Sequence, residues 1–293
     1  MYMQAVRLVN TKDMPREEWL QWRKKGIGGS DVAAICGMSR FSSPLEVYLD
    51  KIGELPEKED SPRMKAGRKL EPLIAEWFSE ETGYKVMRQN SIFQHPQYPF
   101  MLANIDRWLP GQNAGLEIKN TSEYNRQDWF DGQTEIIPTE YQLQANHYMA
   151  ILGAERWFIA VLIGGWDFQW RVIERDEKLI ESLITIEENF WNHHVQKRIP
   201  PRATAQDTDL LDKMYPVSKP KSMDISEAYY DLIKRYFDTK KMLNRAEEAH
   251  EEVKNQIKEM MGEHELAYWQ GEKMFSWKTN AKGSRVFKTV GGF

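Results

Sequence analysis

Residues 105–119 read Ile105-Asp106-Arg107-Trp108-Leu109-Pro110-Gly111-Gln112-Asn113-Ala114-Gly115-Leu116-Glu117-Ile118-Lys119. Residues 100–108 have strand character, Pro110-Gly111-Gln112-Asn113 is a turn, and 116–119 is a second strand. Side chains two apart on a strand share a face, so Glu117 and Lys119 project together while Leu116 and Ile118 enter the opposite, buried layer. Hairpin pairing carries Asp106, at the end of the first strand, toward Glu117. Two carboxylates that close repel unless a proton or a cation lies between them. A hard divalent ion such as Mg²⁺, held by a few carboxylates with water and phosphate oxygens completing its shell, suits such a pair. Lys119 is placed to orient or deprotonate a water and to contact a phosphate. The same spacing also describes a surface strand of alternating charge, and the pattern alone does not separate the two readings.

The flanking segments supply a frame. A strand is expected over 84–94 and a helix over 70–82, with Leu70, Leu73, Ile74, Trp77 and Phe78 on one face, Pro72 in the first turn and Gly83 as the stop. Glu71 in that first turn is either a third metal ligand or a carboxylate favoured by the helix dipole. Downstream, 139–152 reads as a helix. Tyr141, Gln144 and Tyr148 share one of its faces, where Gln144 either lines a site or is a satisfied polar residue. A buried strand over 157–163 turns through Gly164-Gly165 into its hairpin partner, 168–174, and a helix follows over 176–194. Upstream, a helix over 16–25 enters the glycine-rich turn 26–31 and a short helix over 32–36, with Ser30 or Asp31 as its N-cap. Arg23 and Ser30 at that helix start form a candidate phosphate site, or else a tight interhelical turn. The stretch up to about residue 65, with Pro44, Pro56 and Pro62, reads as loop. Strands interleaved with helices imply an α/β fold, a mixed central sheet flanked by helices.

Composition narrows the function. The 293 residues carry 40 Lys and Arg against 44 Asp and Glu, a net charge of −4, so any contact with nucleic acid requires a local basic surface or metal ions. Cys36 is the single cysteine, which excludes an intrachain disulfide and a thiolate zinc cluster and suggests a reducing cytoplasm. The longest apolar run, 157–165, is half a membrane span, and residues 1–10 lack the pattern of a secretory signal. His193-His194 occupy adjacent helical positions that do not share a face, which favours solvated side chains over a ligand pair. Most of the tryptophans, Trp77, Trp157 and Trp191 among them, belong to a core.

The chain divides into 1–198, a proline-bearing linker over 199–222, and an extension over 223–293. From Ile225 the residues Tyr229, Leu232, Tyr236, Thr239, Leu243, Ala246, His250, Val253, Ile257 and Met260 recur in steps of three and four, a heptad seam that Gly262 ends. Unbroken, it would span roughly 55 Å. A hairpin around Asn280-Ala281-Lys282-Gly283 follows, with Trp269, Phe275, Trp277 and Phe287 beside Lys273, Lys278, Lys282, Arg285 and Lys288. Packing on the long helix accounts for those rings more simply than base stacking does.

Taken together, Trp19-x-x-x-Arg23-x-x-x-Ile27-Gly28-Gly29-Ser30-Asp31, Gly67-x-x-x-Glu71-Pro72, Ile105-Asp106, Glu117-Ile118-Lys119 and Tyr141-x-x-Gln144 resemble the YqaJ-like phage recombinase nucleases, relatives of lambda exonuclease in the PD-(D/E)XK superfamily. The resemblance covers roughly residues 15–200. It implies Mg²⁺, with Mn²⁺ as a substitute, held by Glu71, Asp106, Glu117 and the backbone carbonyl of Ile118. Lys119 takes the place of the motif lysine, Gln144 lines the site with Tyr141 as a further candidate, and Arg23 and Ser30 engage a 5′-terminal phosphate. The implied activity is 5′-to-3′ digestion of double-stranded DNA ends, leaving 3′ single strands for an annealing or single-strand-binding protein, with a trimeric assembly by analogy. Arg107 stands where many relatives have glycine, and Asn146 where a second glutamine is frequent. Two other readings remain: a related nuclease of other polarity or endonucleolytic action, and a DNA-end or partner-binding module without turnover.

Overall fold

The computed structural model describes residues 5–56 and 60–290, so part of the stretch 1–10 read above for a signal lies outside the described residues. Two units form, one through Ser218 and one from Lys219. The first unit begins with β1 (Val6–Asn10), α1 (Arg16–Arg23), β2 (Ile27–Gly28) and α2 (Gly29–Ile35), followed by α3 (Pro44–Ile52) and α4 (Pro62–Thr82). Short strands β3 (Met87–Arg88), β4 (Ser91–Gln94), β5 (Met101–Ala103) and β6 (Arg107–Leu109) lead into β7 (Ala114–Thr121). A small ribbon, β8 (Phe130–Asp131) and β9 (Thr134–Glu135), precedes α5 (Thr139–Leu152). Then come β10 (Arg156–Ile163), β11 (Asp167–Glu174) and α6 (Glu177–Asn189), which continues as a π-helical segment, Phe190–Val195.

The main sheet has the order β11-β10-β7-β6-β3, with β7 and β10 parallel and the other pairs antiparallel. A four-stranded sheet, β1-β4-β5-β2, lies earlier in the chain. This is the mixed α/β architecture expected from the sequence. Period-two alternation sorts the main sheet into its layers. Leu116 and Ile118 of β7, with Phe158, Ala160 and Leu162 of β10, pack with Ile74, Ala75 and Phe78 of α4. On the other face Trp157, Ile159 and Val161 join Leu143 and Met149 of α5 and the helices beyond it.

Several expectations are corrected. The strands read over 84–94 and 100–108 are each broken in two, and their halves belong to different sheets, because the chain leaves one sheet at 89–90 and at 104–106 and enters the other. The supposed loop to residue 65 contains α3, capped by Ser43 accepting from Glu46 N at 3.0 Å, with Pro44 in its first turn. The helix read from residue 70 starts at Pro62 under a Ser61 cap, so Pro72 and Glu71 lie in mid-helix and Glu71 gains nothing from a helix N-terminus. At α2 the N-cap is Gly28; Ser30 and Asp31 belong to the first turn, and Asp31 Oδ2 accepts from Gly28 N at 2.9 Å. The segment read as linker belongs to the first unit as far as Ser218. It carries α7 (Thr208–Met214), and Asp207 is buried with partners in Ser43 and Thr204.

In the second unit α8 (Tyr230–Met261) runs through most of the heptad seam. The expected hairpin is formed by β13 (Glu272–Thr279) and β14 (Arg285–Thr289), and β12 (Leu266–Trp269) adds a third strand through a Gln270-Gly271 turn with both residues at positive φ. Arg285 ties this meander to the end of α8. It donates to Gly262 O at 2.7 Å and His264 O at 2.8 Å, and its guanidinium stacks 3.6 Å from the Trp277 ring. Among the described residues, no helix is long and apolar enough to cross a membrane.

Candidate active site

Glu117 and Lys119 leave β7 on the face covered by α5, and that helix presents Gln144 to them. Lys119 Nζ donates to Glu117 Oε1 at 2.7 Å and to Gln144 Oε1 at 3.1 Å. Gln144 Nε2 donates to Glu117 Oε1 at 2.8 Å and to Tyr148 Oη at 3.1 Å, and Tyr148 Oη donates to the Asn104 carbonyl at 3.2 Å. Both ends of the Gln144 amide are thereby committed. Tyr141 stacks on Trp129 and lies with its ring centre 4.6 Å from Lys119 Nζ. Burial alone would drain the Lys119 ammonium of its proton, but the Glu117 carboxylate and Tyr141 outweigh it and raise its pKa. Lys119 therefore stays charged near neutral pH, which suits it to positioning and charge stabilisation rather than to proton abstraction.

Asp106 stands where the β6–β7 ladder stops. The last backbone pair is Arg107 with Leu116. One step further, the Asp106 side chain replaces the backbone, Oδ2 accepting from Ile118 N at 2.9 Å. Burial, then Glu117, then Glu71 hold the Asp106 carboxyl well above the usual carboxylate range, against the opposing pull of Lys119 and the Ile118 N–H. Among the described residues, Glu117 Oε2 is buried without a hydrogen-bond partner. Two carboxyl groups in one pocket, one proton-hungry and one with an orphaned oxygen, fit a small hard cation that keeps some of its waters.

Glu71 behaves differently from what the resemblance implies. Residues paired across an antiparallel ladder share a face, so Arg107, opposite Leu116, projects toward α4. There Arg107 Nη1 donates to Glu71 Oε1 at 2.6 Å, and Arg88 Nη2 donates to the same oxygen at 3.2 Å. Among the described residues, no three His, Cys, Asp or Glu side chains are gathered closely enough to hold a metal ion. Glu71 lines a neighbouring groove, which it shares with Asp106, Arg16, Arg68 and Arg88. Arg107, noted in the sequence only as a departure from glycine, is thus one of the two arginines that engage it.

The far wall of the pocket is built by α1 and α2. Arg23 Nη2 donates to Ser30 Oγ at 2.7 Å and lies 3.7 Å from Asp31 Oδ1, with the guanidinium carbon 4.9 Å from the Trp19 ring centre. Trp19 Nε1 donates to Asn104 Oδ1 at 3.1 Å, which links this wall to the Tyr148 network. Lys51, which sequence reasoning missed, is buried on α3 with Nζ 2.6 Å from Asp31 Oδ2 and 3.3 Å from the Arg23 carbonyl it donates to. Burial would raise the Asp31 carboxyl, but Lys51 and then Arg23 outweigh it and lower its pKa. The signal for Lys51 lay in the helix read as loop: a Ser43-Pro44 start and a Gly53 stop frame it. Arg23, Ser30, Asp106, Glu117, Lys119 and Gln144 all line this one pocket.

The weaker candidates fall elsewhere. His193 and His194 meet edge to face, and His194 Nδ1 lies 2.7 Å from the Ile199 carbonyl. Burial, and secondarily Glu187, push the Cys36 thiol up to about 11, so it stays protonated. Asn146 is buried away from the pocket, its Oδ1 accepting from Asp176 N at 3.0 Å and its Nδ2 donating to the Gln142 carbonyl at 3.0 Å.

A family model described as a YqaJ-like viral recombinase domain matches residues 18–155. The chain is 37% identical over 277 residues to the Bacillus subtilis protein called uncharacterized protein YqaJ, covering 92% of this chain and 86% of that one. Among solved structures, an alkaline exonuclease from Laribacter hongkongensis is similar at a TM-score of 0.49 and 19% identity, over 68% of this chain and 98% of that one. A putative exonuclease from Eubacterium rectale is similar at a TM-score of 0.46 and 13% identity, over 74% of this chain and 97% of that one.

Proposed function

Because the chain belongs to the YqaJ-like viral recombinase domain family, we propose that it is a divalent-metal-dependent deoxyribonuclease acting on the ends of double-stranded DNA. In this reading it degrades 5′ to 3′ and leaves 3′ single strands for an annealing or single-strand-binding protein. The observation that carries the proposal is the pocket that holds Asp106, Glu117, Lys119 and Gln144 together, with Arg23 and Ser30 on its other wall. Asp106, Glu117 and the Ile118 carbonyl would hold Mg²⁺, with Mn²⁺ as a substitute. A bound Mg²⁺ lowers the pKa of a coordinated water and stabilises charge on the phosphodiester being cut. Lys119, kept as an ammonium, draws a non-bridging phosphate oxygen and offsets the charge that builds in the transition state. Gln144 fixes the rotamers of Glu117 and Lys119 through its two amide bonds. Arg23 offers a guanidinium edge, and Ser30 a hydroxyl, to a terminal 5′-phosphate.

The test is a duplex labelled at one end, with and without its 5′-phosphate, incubated with the full chain and Mg²⁺. Nucleotide release is expected only with the ion and faster from the phosphorylated end. Lys119→Ala should lose about 100-fold or more in rate, and Arg23→Ala should lose the preference for the 5′-phosphate. Equal digestion of closed circular DNA would assign an endonuclease. No turnover of any DNA with any divalent ion would end the proposal.

A further inference from the structure

Among the described residues of the second unit, nothing covers the apolar face of α8 along most of its length. Leu232, Tyr236, Leu243 and Val253 are all more than half exposed, and Thr239, Ala246 and His250 between them are exposed as well. A 32-residue helix that leaves such a seam in water loses the burial that ordinarily stabilises a helix. We propose that this seam pairs with the same seam of a second copy of this chain, in an antiparallel coiled coil.

The direction of pairing follows from size and charge. In an antiparallel pair of heptad helices each a position meets a d position. About a centre between Asn244 and Arg245, Leu243 then faces the second copy's Ala246, Thr239 faces His250, and Tyr236 faces Val253. Most layers set a larger side chain against a smaller one. A parallel, in-register pair would instead place Ala246 on Ala246, leaving a void, and His250 on His250. The charges agree. The first half of α8 carries Lys234, Arg235, Lys240, Lys241 and Arg245 against Asp231 and Asp238. The second half carries Glu247, Glu248, Glu251, Glu252 and Glu259 against Lys254 and Lys258. Only opposed helices lay the basic half on the acidic half. In that register Lys240 lies beside the second copy's Glu247, twice by symmetry, whereas a parallel pair sets Lys240 beside Arg235.

A wider patch in the first half of α8 fits the same arrangement. Tyr230, Ile233 and Phe237 are exposed on the flank next to the seam. At the other end of the helix the same flank is the covered one: Lys254 and Lys258 are half-buried and Met261 is buried where the meander packs. Antiparallel pairing brings those two flanks together, so the meander of one copy comes to lie against Tyr230, Ile233 and Phe237 of the other.

The experiment measures the mass of the full chain by sedimentation equilibrium across concentration, with circular dichroism to follow folding. The native chain is expected to form a dimer. Lys240→Glu alone and Glu247→Lys alone each set like charges across both symmetric contacts and should raise the dissociation constant about tenfold or more. The double exchange, Lys240→Glu with Glu247→Lys, should restore it. Ala246→Asp, which buries a carboxylate in the central layer, should give monomers whose first unit melts unchanged. A native chain that stays monomeric at tens of micromolar would overturn the proposal and leave the face to another protein. A Lys240→Glu dimer tighter than the native one would overturn the direction. A trimer would overturn the stoichiometry.

Discussion

Gly29 has no room for a side chain. A Cβ there would stand 2.6 Å from the Tyr148 ring and 3.0 Å from Gln144 Cγ. The missing methyl lets the start of α2 approach α5 closely enough for the Arg23–Ser30 wall and the Glu117–Lys119–Gln144 network to share a pocket. Gly29→Ala is therefore expected to displace Gln144 and Tyr148 and to lower DNA hydrolysis by about tenfold, roughly 1.4 kcal/mol, while the protein remains folded by circular dichroism. A second prediction concerns Asp106. Its carboxyl is raised by burial, Glu117 and Glu71, so at acidic pH it carries a proton and must lose it before it can hold a cation. Activity should rise with pH along a limb above the usual carboxylate range. Glu71→Gln removes one of the two negative neighbours and should move that limb to lower pH. A limb that does not move on that substitution would show that Asp106 is not the titrating group.

At the scale of elements, α5 is the helix on which the site depends, and its other side is fixed by a buried pair. His147 Nε2 lies 3.0 Å from the Leu102 carbonyl and Nδ1 lies 2.9 Å from Glu187 Oε1 on α6. A carbonyl only accepts, so Nε2 donates, and the second proton is held between Nδ1 and the carboxylate. Burial would lower the His147 pKa, but Glu187 outweighs it and raises the value above 6.5. The Glu187 carboxyl is raised as well, by burial, and groups whose folded-state pKa lies above the unfolded one give stability that is present at low pH and lost as pH rises through the folded values. The melting temperature should therefore fall on the alkaline side. Glu187→Gln should flatten that slope and lower the melting temperature at neutral pH, because the pair is broken in the interior. An unchanged slope in Glu187→Gln would refute this. Neither residue was legible in the sequence, since helical spacing says which face a histidine occupies but not what lies across from it. The elements with one strong period were legible: 139–152 is the observed helix, and Gly164-Gly165 turns β10 into β11. What the sequence concealed were features set by tertiary geometry. The breaks at 89–90 and 104–106 lie in stretches that still alternate like strands, and the Glu71 contact needs Arg107 to be placed from a different element. For the site, Asp106, Glu117, Lys119 and Gln144 were recoverable as a motif, while Lys51 was lost with the helix that carries it.

The whole molecule contains cores that do not share residues. The buried clusters on the two faces of the main sheet, and the apolar side chains packed on them, are drawn entirely from residues up to Met214. In the second unit Met261, Met274 and Ser276 are buried around the end of α8 and belong to neither cluster. A unit that buries its own apolar surface can fold alone. The chain ending at Ser218 is therefore expected to unfold in one cooperative transition, with a melting temperature close to that of the first transition of the full chain by calorimetry. It keeps every residue of the pocket, so it should also release nucleotides from a linear duplex. It lacks α8, and if the opposed helices make the dimer it should sediment as a monomer at concentrations where the full chain is paired. The three readouts separate the ideas. A folded, active monomer supports both the independence of the first unit and the role of α8. A folded, active dimer or trimer would place the assembly surface on the first unit. An unfolded fragment would show that the extension contributes to the stability of the nuclease unit, contrary to the separation of the two cores.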